Sequence, residues 1–290
     1  MMRACLHDMG HHPAFQYILR QDGPVDSRRM RTTLEALRAQ AYTAWSVLSL
    51  ASDDDAAAAL RTLIDETVPD LTERFSVISA SDADRWSAPL AAAEERNRLY
   101  GLLLPGDEPG ADALLELAVA SGRHPDRDVL YGDEVRLSPV SQDIEPFFKP
   151  DFSPDLLLST NYIGRLWVTT AAVLASTGGT PASLTAQGEY DLLLRCTEYA
   201  AGVHHIPKLL CQRSVMALDE PAQEQAALAA MLQRRGVAGA VLPTAIPGQG
   251  FHHHPDLRLE RLYRNLHQYA ARQDHVSGLR NHLHRQHSGP

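Results

Sequence analysis

The sequence has 290 residues, 44% of them hydrophobic and 22% charged, a composition typical of a globular protein with a sizeable core. The net charge of −9 argues against a protein that follows a nucleic-acid backbone, because such proteins carry basic surfaces. A few arginines could still bind one phosphorylated small molecule. No apolar run could span a bilayer and the first residues do not resemble a signal peptide, so we expect a cytoplasmic protein.

The cysteines indicate a reducing environment. Cys5, Cys196 and Cys211 are odd in number and widely spaced, without a CxxC pair. We therefore expect reduced, mostly buried thiols, with no disulfide framework and no zinc site.

The first half of the chain alternates short apolar runs with helical patterns. Strands are predicted at 15–19, 45–50, 75–79, 100–104 and 129–131. Helices are predicted at 28–40, from Asp53 onwards, at 86–98 and at 111–121. Asp53 is expected to begin its helix because carboxylates favour free helical N–H groups. This order predicts an α/β fold with a mostly parallel sheet covered on both faces, which binds ligands at the carboxyl ends of its strands.

The pattern changes beyond residue 135. Residues 139–154 are predicted to form an irregular loop, 161–168 a strand, 189–200 a helix and 204–207 a short extended piece. A helix is predicted from Pro221 to Arg235, ending at Gly236. The tail at 256–284 shows one apolar helical face. We therefore predict one domain over 1–240 and a helical appendage over 241–290.

Glycines and histidines give weaker signals. Gly178-Gly179 suits a flexible turn, because glycine tolerates a positive φ. His252-His253-His254 is interpreted as a solvated turn in preference to a metal site, and His204 and His205 are expected to pack or hydrogen-bond at a strand end.

Residues 146–164 read PFFKPDFSPDLLLSTNYIG. This segment resembles the bacterial branch of glycosyltransferase family 2, whose members often read PYFKPDWSPDLLLSQNYIGH here. Four further stretches agree: 187–195 with QDYDLALR, 205–210 with HIPKVLYHWR, 131–134 with YSDED, and 104–108 with LDHDD or LPADD. The resemblance covers roughly residues 15 to 240.

The resemblance implies the GT-A fold and sugar transfer, with inversion, from a nucleotide-diphosphate donor. The implied acceptor is a glycan or a lipid-linked glycan in polysaccharide or cell-surface glycan biosynthesis. It also implies a divalent metal, Mg²⁺ or Mn²⁺, and allows a peripheral location at the inner face of the membrane. The tail could contact a second copy or a partner enzyme.

Asp107 matches the strand-end acid that in the family binds the metal and the donor. Pro105 stands where the first acid of that motif would be, so Glu108 is the neighbour that could supply a second oxygen ligand. The alternative is that Asp107 and Glu108 are solvated loop acids that cap the next helix.

Glu189 matches the first acid of QDYDL and is the candidate general base, because a carboxylate must take the acceptor proton. Asp191 matches the second acid and is assigned to the catalytic group, with a local hydrogen-bonding role. Alternatively, Glu189 is only a helix N-terminal acid stabilised by the dipole.

The resemblance also assigns a group of residues to donor binding: Asp133, Lys149, Asp151, Asn161 and Tyr162. Lys149 could contact a phosphate or form an ion pair with Asp151, and core packing is an equal alternative for Tyr162.

Several family positions are changed on the donor side, namely Ala51-Ser52, Val135 and Gln212. These changes indicate either an altered mode of donor binding or a loss of catalytic activity. The alternative function is therefore a non-catalytic glycosyltransferase-like module that binds glycan or acts as a scaffold. An unrelated Rossmann-like binder is disfavoured, because no GxGxxG follows the first strand.

Overall fold

A mixed nine-stranded sheet forms the centre of the part of the chain that the structure describes. The structure is a computed structural model and describes residues 10–21, 23–79, 97–137, 144–178, 188–213, 221–238, 240–243 and 250–253. The strands are β1 (Ala14–Arg20), β2 (Trp45–Ala51), β3 (Phe75–Ser79), β4 (Arg98–Leu103), β5 (Glu108–Pro109), β6 (Val129–Leu137), β7 (Ile144–Phe147), β8 (Trp167–Thr170), β9 (Val203–Gln212), β10 (Ala240–Pro243) and β11 (Gly250–His253). The helices are α1 (Ser27–Arg38), α2 (Asp54–Thr67), a 3-10 helix (Pro69–Arg74), α3 (Ala113–Arg123), α4 (Pro154–Leu157), α5 (Ala171–Ser176), α6 (Gly188–Tyr199) and α7 (Pro221–Arg234).

The main sheet has the order β3-β2-β1-β4-β8-β6-β9-β5, and β7 pairs with β6. Strand β1 runs parallel to β2 and β4, β2 runs parallel to β3, and β6 runs parallel to β9. Strand β8 is antiparallel to both of its neighbours, β4 and β6. Strands β6 and β9 therefore run in the same direction as β1–β4, and the carboxyl ends of all six lie at one edge of the sheet. The prediction of a mostly parallel sheet is confirmed.

Apolar side chains cover both faces of this sheet. On one face Tyr17 packs in a cluster with Leu34 of α1 and Leu60 of α2. On the other face Trp167 packs with Leu193 of α6, within a second cluster. Strands covered on both faces read as near-continuous apolar runs, which explains why the sequence pattern predicts β1, β2 and β4.

Local capping chemistry fixes several helix ends. The Asp53 carboxylate accepts a hydrogen bond from the Ala56 backbone N–H at 2.7 Å, which begins α2 as expected. That hydrogen bond lowers the pKa of Asp53. Gly236 follows α7 with φ 62°, a conformation that favours glycine.

The prediction of a strand at 161–168 is wrong. The strand there is β8, which begins at Trp167, and the preceding residues form a turn. In this turn the Asn161 side-chain oxygen accepts a hydrogen bond from Gly164 N at 3.2 Å, and Gly164 has φ 51°. Asparagine and glycine favour turns for these reasons.

Four other predicted segments differ from the structure. Strand β7 lies within the predicted irregular loop, and β6 and β9 are longer than the pieces predicted at 129–131 and 204–207. His252 and His253 belong to β11 and not to a turn, because β11 pairs with β10 in an antiparallel hairpin.

The helix predicted at 256–284 lies outside the described residues, as does the helix predicted at 86–98 except for its last two residues, of which Arg98 begins β4. The hairpin of β10 and β11 straddles the predicted domain boundary at residue 240, and Val241 packs into the same core cluster as Met231 of α7. Among the described helices, none has the length and apolar character needed to cross a membrane.

Candidate functional site

The candidate site lies at the edge of the sheet where the parallel strands end. The loop after β4 carries Asp107, and the residues before the antiparallel β8 carry Arg165, so both reach this edge. In open α/β sheets ligands bind outside the carboxyl ends of the strands. The topology therefore brings the predicted donor loop to the expected place.

Asp107 is completely buried in a tight turn. Its backbone N–H donates to the Leu104 carbonyl at 3.0 Å, and its carboxylate accepts a hydrogen bond from Leu104 N at 2.8 Å. Its Oδ2 atom also accepts a hydrogen bond from Arg165 Nε at 2.9 Å. The alternative interpretation of Asp107 as a solvated loop acid is thus wrong.

Arg165 joins the two carboxylates that the resemblance singles out. Its Nη1 donates to Glu189 Oε2, while its Nε contacts Asp107, and its side chain is only 2% exposed. Burial lowers the pKa of Arg165, but Glu189 and Asp107 outweigh burial and raise it above the usual value. A buried cation therefore occupies the space between Asp107 and Glu189.

Sequence reasoning missed Arg165. It directly follows the matched segment, at the position where the family pattern quoted above has His. That difference was the available signal. Its partners lie 58 and 24 residues away along the chain, so spacing alone gave no indication of the contacts.

Glu189 opens helix α6, as predicted, and is buried. Its second carboxylate oxygen lies 3.4 Å from Trp167 Nε1, which donates toward it. The first-turn position favours a carboxylate because of the helix dipole. The predicted base and the predicted donor acid thus face the same point, but a guanidinium and not an open crevice separates them.

Glu108 and Asp107 do not form a ligand pair. Strand β5 places Glu108 opposite Gln212 of β9, and Gln212 Nε2 donates to Glu108 Oε1 at 2.9 Å. Among the described residues, no group of three or more His, Cys, Asp or Glu could hold a metal ion. In this arrangement the predicted ligands do not fit a divalent cation, because the Asp107 carboxylate already has a cationic partner.

Lys149 is a buried structural cation. Its ammonium donates to the carbonyl oxygens of Gly132 and Ile163, at 2.5 Å each, and to that of Arg165. Its carboxylate partner is Glu134, at 3.3 Å, and not Asp151, which was one of the alternatives for Lys149. Burial lowers the pKa of Lys149, and Glu134 opposes this effect.

Asp133 and Asp151 are connected through one imidazole ring. His205 Nε2 lies 2.8 Å from Asp133 Oδ1, and His205 Nδ1 lies 3.2 Å from Asp151 Oδ1. Asp133 also accepts a hydrogen bond from Lys149 N at 2.8 Å. Tyr131 stacks on the imidazole with ring centroids 4.9 Å apart. The expectation that His205 hydrogen-bonds at a strand is confirmed, and Asp151 remains exposed.

Three predicted site residues make local contacts. Asn161 holds the turn at Gly164, and the buried Tyr162 accepts a hydrogen bond from Ser153 N at 2.9 Å. Asp191 is buried and lies 3.1 Å from Arg234, which ties α6 to α7. It also lies 2.9 Å from Arg195 within α6, in agreement with the local role expected for it.

No known family model matches the chain. A relative, the O-antigen biosynthesis protein RfbC of Myxococcus xanthus, is 32% identical over 185 residues, which cover 62% of this chain and 14% of RfbC. A second relative, from Sinorhizobium fredii, is matched over 20% of its length, so the chain spans only a small part of the curated relatives it matches.

Solved structures resemble the fold of the chain. The mannosyltransferase PcManGT of Pyrobaculum calidifontis, solved with GDP-Man and Mn²⁺, superposes with a TM-score of 0.53 at 15% identity, covering 78% of this chain and 65% of that one. Glucosyl-3-phosphoglycerate synthase of Mycobacterium tuberculosis, solved with Mg²⁺ and UDP, gives a TM-score of 0.52 at 13% identity, covering 88% and 91%. The chain therefore has the GT-A fold of nucleotide-sugar glycosyltransferases and is related in sequence to the O-antigen protein RfbC.

Proposed function

We propose that the chain is a glycosyltransferase of family 2 type that transfers a sugar, with inversion, from a nucleotide-diphosphate donor to a glycan or lipid-linked acceptor. The relationship to an O-antigen biosynthesis protein supports a role in polysaccharide or cell-surface glycan synthesis. Solved proteins of the same fold contain UDP or GDP-Man, which supports a nucleotide-sugar donor. We place the protein in the cytoplasm or at the inner face of the membrane.

The observation that carries this proposal is the position of Asp107 and Glu189, which lie within one ion-pair cluster beside the carboxyl ends of the parallel strands. In the proposed reaction, Glu189 takes the proton of the acceptor hydroxyl while that oxygen bonds to the anomeric carbon. The bond from this carbon to the diphosphate breaks, and the diphosphate leaves with the electron pair. Positioned general bases contribute typically about 10²–10⁴-fold to rate.

For Glu189 to act as the base, its carboxylate must exchange the Arg165 contact for the acceptor hydroxyl. We therefore include Arg165 in the proposed site, where it holds Glu189 in place and carries positive charge near the leaving group. The predicted metal enters no step of this proposal, because the arrangement of Asp107 and Glu108 does not fit it.

The direct test is transfer or donor hydrolysis with a panel of nucleotide sugars, each with and without Mg²⁺ or Mn²⁺. We expect Glu189→Gln to lower kcat by at least about 10²-fold, because the amide cannot take the proton. Glu66→Gln, which changes an exposed carboxylate paired with Arg31, is the matched control and should leave kcat unchanged.

Unchanged activity in Glu189→Gln would exclude Glu189 as the base. Failure of every donor to react, together with no thermal shift by any nucleoside diphosphate, would exclude the transferase function itself.

A second candidate function is a non-catalytic module that binds glycan or scaffolds a partner enzyme. The buried Asp107–Arg165–Glu189 cluster favours it, since all three charges already have partners within the protein. This function predicts glycan binding that Glu189→Gln does not change, with no donor turnover. The tail that could contact a second copy or a partner lies outside the described residues.

A further inference from the structure

Two arginines stand side by side at the ends of the parallel strands β6 and β9. The strand register pairs Val135 with Gln212, so the next positions, Arg136 and Arg213, are neighbours. Arg213 N donates to the Val135 carbonyl at 2.7 Å, which continues this pairing beyond the last residue of β9. Because side chains alternate along a strand, Arg136 lies on the same face as Glu134.

These two arginines share their surroundings with a third cation. Glu134 Oε1 lies 3.5 Å from Arg213 Nη1, and Glu134 Oε2 lies 3.3 Å from Lys149 Nζ. Burial raises the pKa of Glu134, but Lys149 and Arg213 outweigh burial and hold that pKa below its usual value. The buried Glu134 carboxylate is therefore shared by Lys149 and Arg213.

The Arg136 guanidinium has an aromatic ring and charges of both signs as neighbours. It lies 3.6 Å above the Phe147 ring, and the exposed Glu145 stands opposite it on β7. Burial lowers the pKa of Arg136 below its usual value, and the charge of Arg213 adds to this effect, while Glu134 and Glu145 oppose it. Like charges opposite each other on neighbouring strands are destabilising, so a further anion at this position would stabilise the pair.

The two arginines differ from the other cations of the site in their access to solvent. Lys149 is fully buried and saturated by carbonyl oxygens, and Arg165 is 2% exposed. The Arg213 side chain is 13% exposed, and Arg136 is half-buried. Their positions near the carboxyl ends of β9 and β6 put them at the same edge of the sheet as the Asp107 loop.

We propose that Arg136 and Arg213 together bind the phosphate groups of a diphosphate ligand, and that this binding needs no divalent metal. Planar guanidinium groups form bidentate hydrogen bonds with phosphate oxygens, which suits a pair of arginines to a diphosphate. The inference rests on the proposed function for the identity of the ligand. The diphosphate belongs either to the nucleotide donor or to a lipid-linked acceptor, and the two share the same chemistry.

The test is direct binding, measured by calorimetry on the full chain in EDTA and again with Mn²⁺. The probes are UDP, GDP, inorganic pyrophosphate and farnesyl diphosphate. We expect a nucleoside diphosphate to bind in EDTA, and Arg136→Gln and Arg213→Gln each to weaken its binding at least about tenfold. Arg38→Gln, which changes an exposed arginine paired with Asp70, is the matched control.

Arg213→Lys keeps the positive charge beside Glu134 but lacks the planar fork, so it should fold normally and bind with intermediate affinity. Thermal unfolding of each variant checks the fold. An arginine effect seen with farnesyl diphosphate and not with UDP or GDP would support the same subsite with the acceptor as its ligand.

Affinities unchanged by both arginine substitutions would overturn the inference. Binding that strictly requires Mn²⁺ would also overturn it, while leaving the proposed transferase function intact. If no diphosphate binds under either condition, both the inference and the proposed function fail.

Discussion

Arg165 contacts two carboxylates that lie far apart in the chain, so the free energy of unfolding should depend strongly on this residue. Replacing it in Arg165→Met leaves Asp107 and Glu189 buried without their cationic partner. Breaking a buried ion pair by removing one partner is destabilising by about 3–5 kcal/mol. We expect a loss of that size in the free energy of unfolding, measured by urea denaturation.

The control is the triple variant Arg165→Met, Asp107→Asn, Glu189→Gln, in which none of the three charges of this cluster remains. The triple variant should recover much of the free energy of unfolding that Arg165→Met loses, because the penalty in the single variant comes from uncompensated carboxylates. A single variant as stable as the unmodified protein would show that Arg165 is not the counter-charge of the cluster.

Residue-scale chemistry was only partly predictable from the sequence. Asp53 and Gly236 could be recognised because capping depends on neighbours within a few residues. The partners of Lys149 could not, because its carbonyl contacts with Gly132 and Ile163 arise from the packing of separate loops. The meeting of Asp107 and Glu189 was anticipated from a family pattern, and the cation between them was not.

At the scale of elements, Gly164 allows the turn that leads into β8 to lie close to the buried Glu134. Gly164 has φ 51°, and a Cβ atom there would lie 2.6 Å from Glu134 Oε2. Gly164→Ala should therefore combine backbone strain of about 1–2 kcal/mol with displacement of a buried carboxylate. We expect a lower melting temperature than for Gly236→Ala.

Gly236 is the matched control, since it has φ 62° and a Cβ atom there would meet nothing within 4 Å. The difference in melting temperature between Gly164→Ala and Gly236→Ala therefore measures the effect of crowding at Glu134. Equal melting temperatures would mean that Glu134 moves aside without loss of stability.

At the scale of the whole molecule, the hairpin of β10 and β11 tests the predicted boundary at residue 240. Val241 is buried, and Gln225 of α7 donates to its carbonyl at 3.0 Å. Burying a valine side chain contributes about 1.5–3 kcal/mol. A chain ending at residue 238 should therefore melt at a lower temperature than one ending at residue 253. Equal melting temperatures would support the boundary at 240.

The overall architecture was more predictable than the site, because it depends on many apolar positions and tolerates errors in a few. The alternation of strands and helices predicts the parallel half correctly. A strand was predicted at 161–168, but the antiparallel direction of β8 was not, because an isolated Trp-Val-Thr-Thr segment carries no information on strand direction. Its reversal is nevertheless what brings Arg165 to the carboxyl edge.

The two-residue strand β5 has a mechanical consequence. It pairs Glu108 and Pro109 with β9, while β4 fixes the other end of the same segment, and Thr33 of α1 donates a hydrogen bond to the Asp107 carbonyl at 2.9 Å. A segment anchored at both ends and braced from a helix cannot swing like a lid without deforming the sheet. The loop that carries Asp107 is therefore a fixed part of the site, and adjustment to different ligands has to come from the other elements that form it.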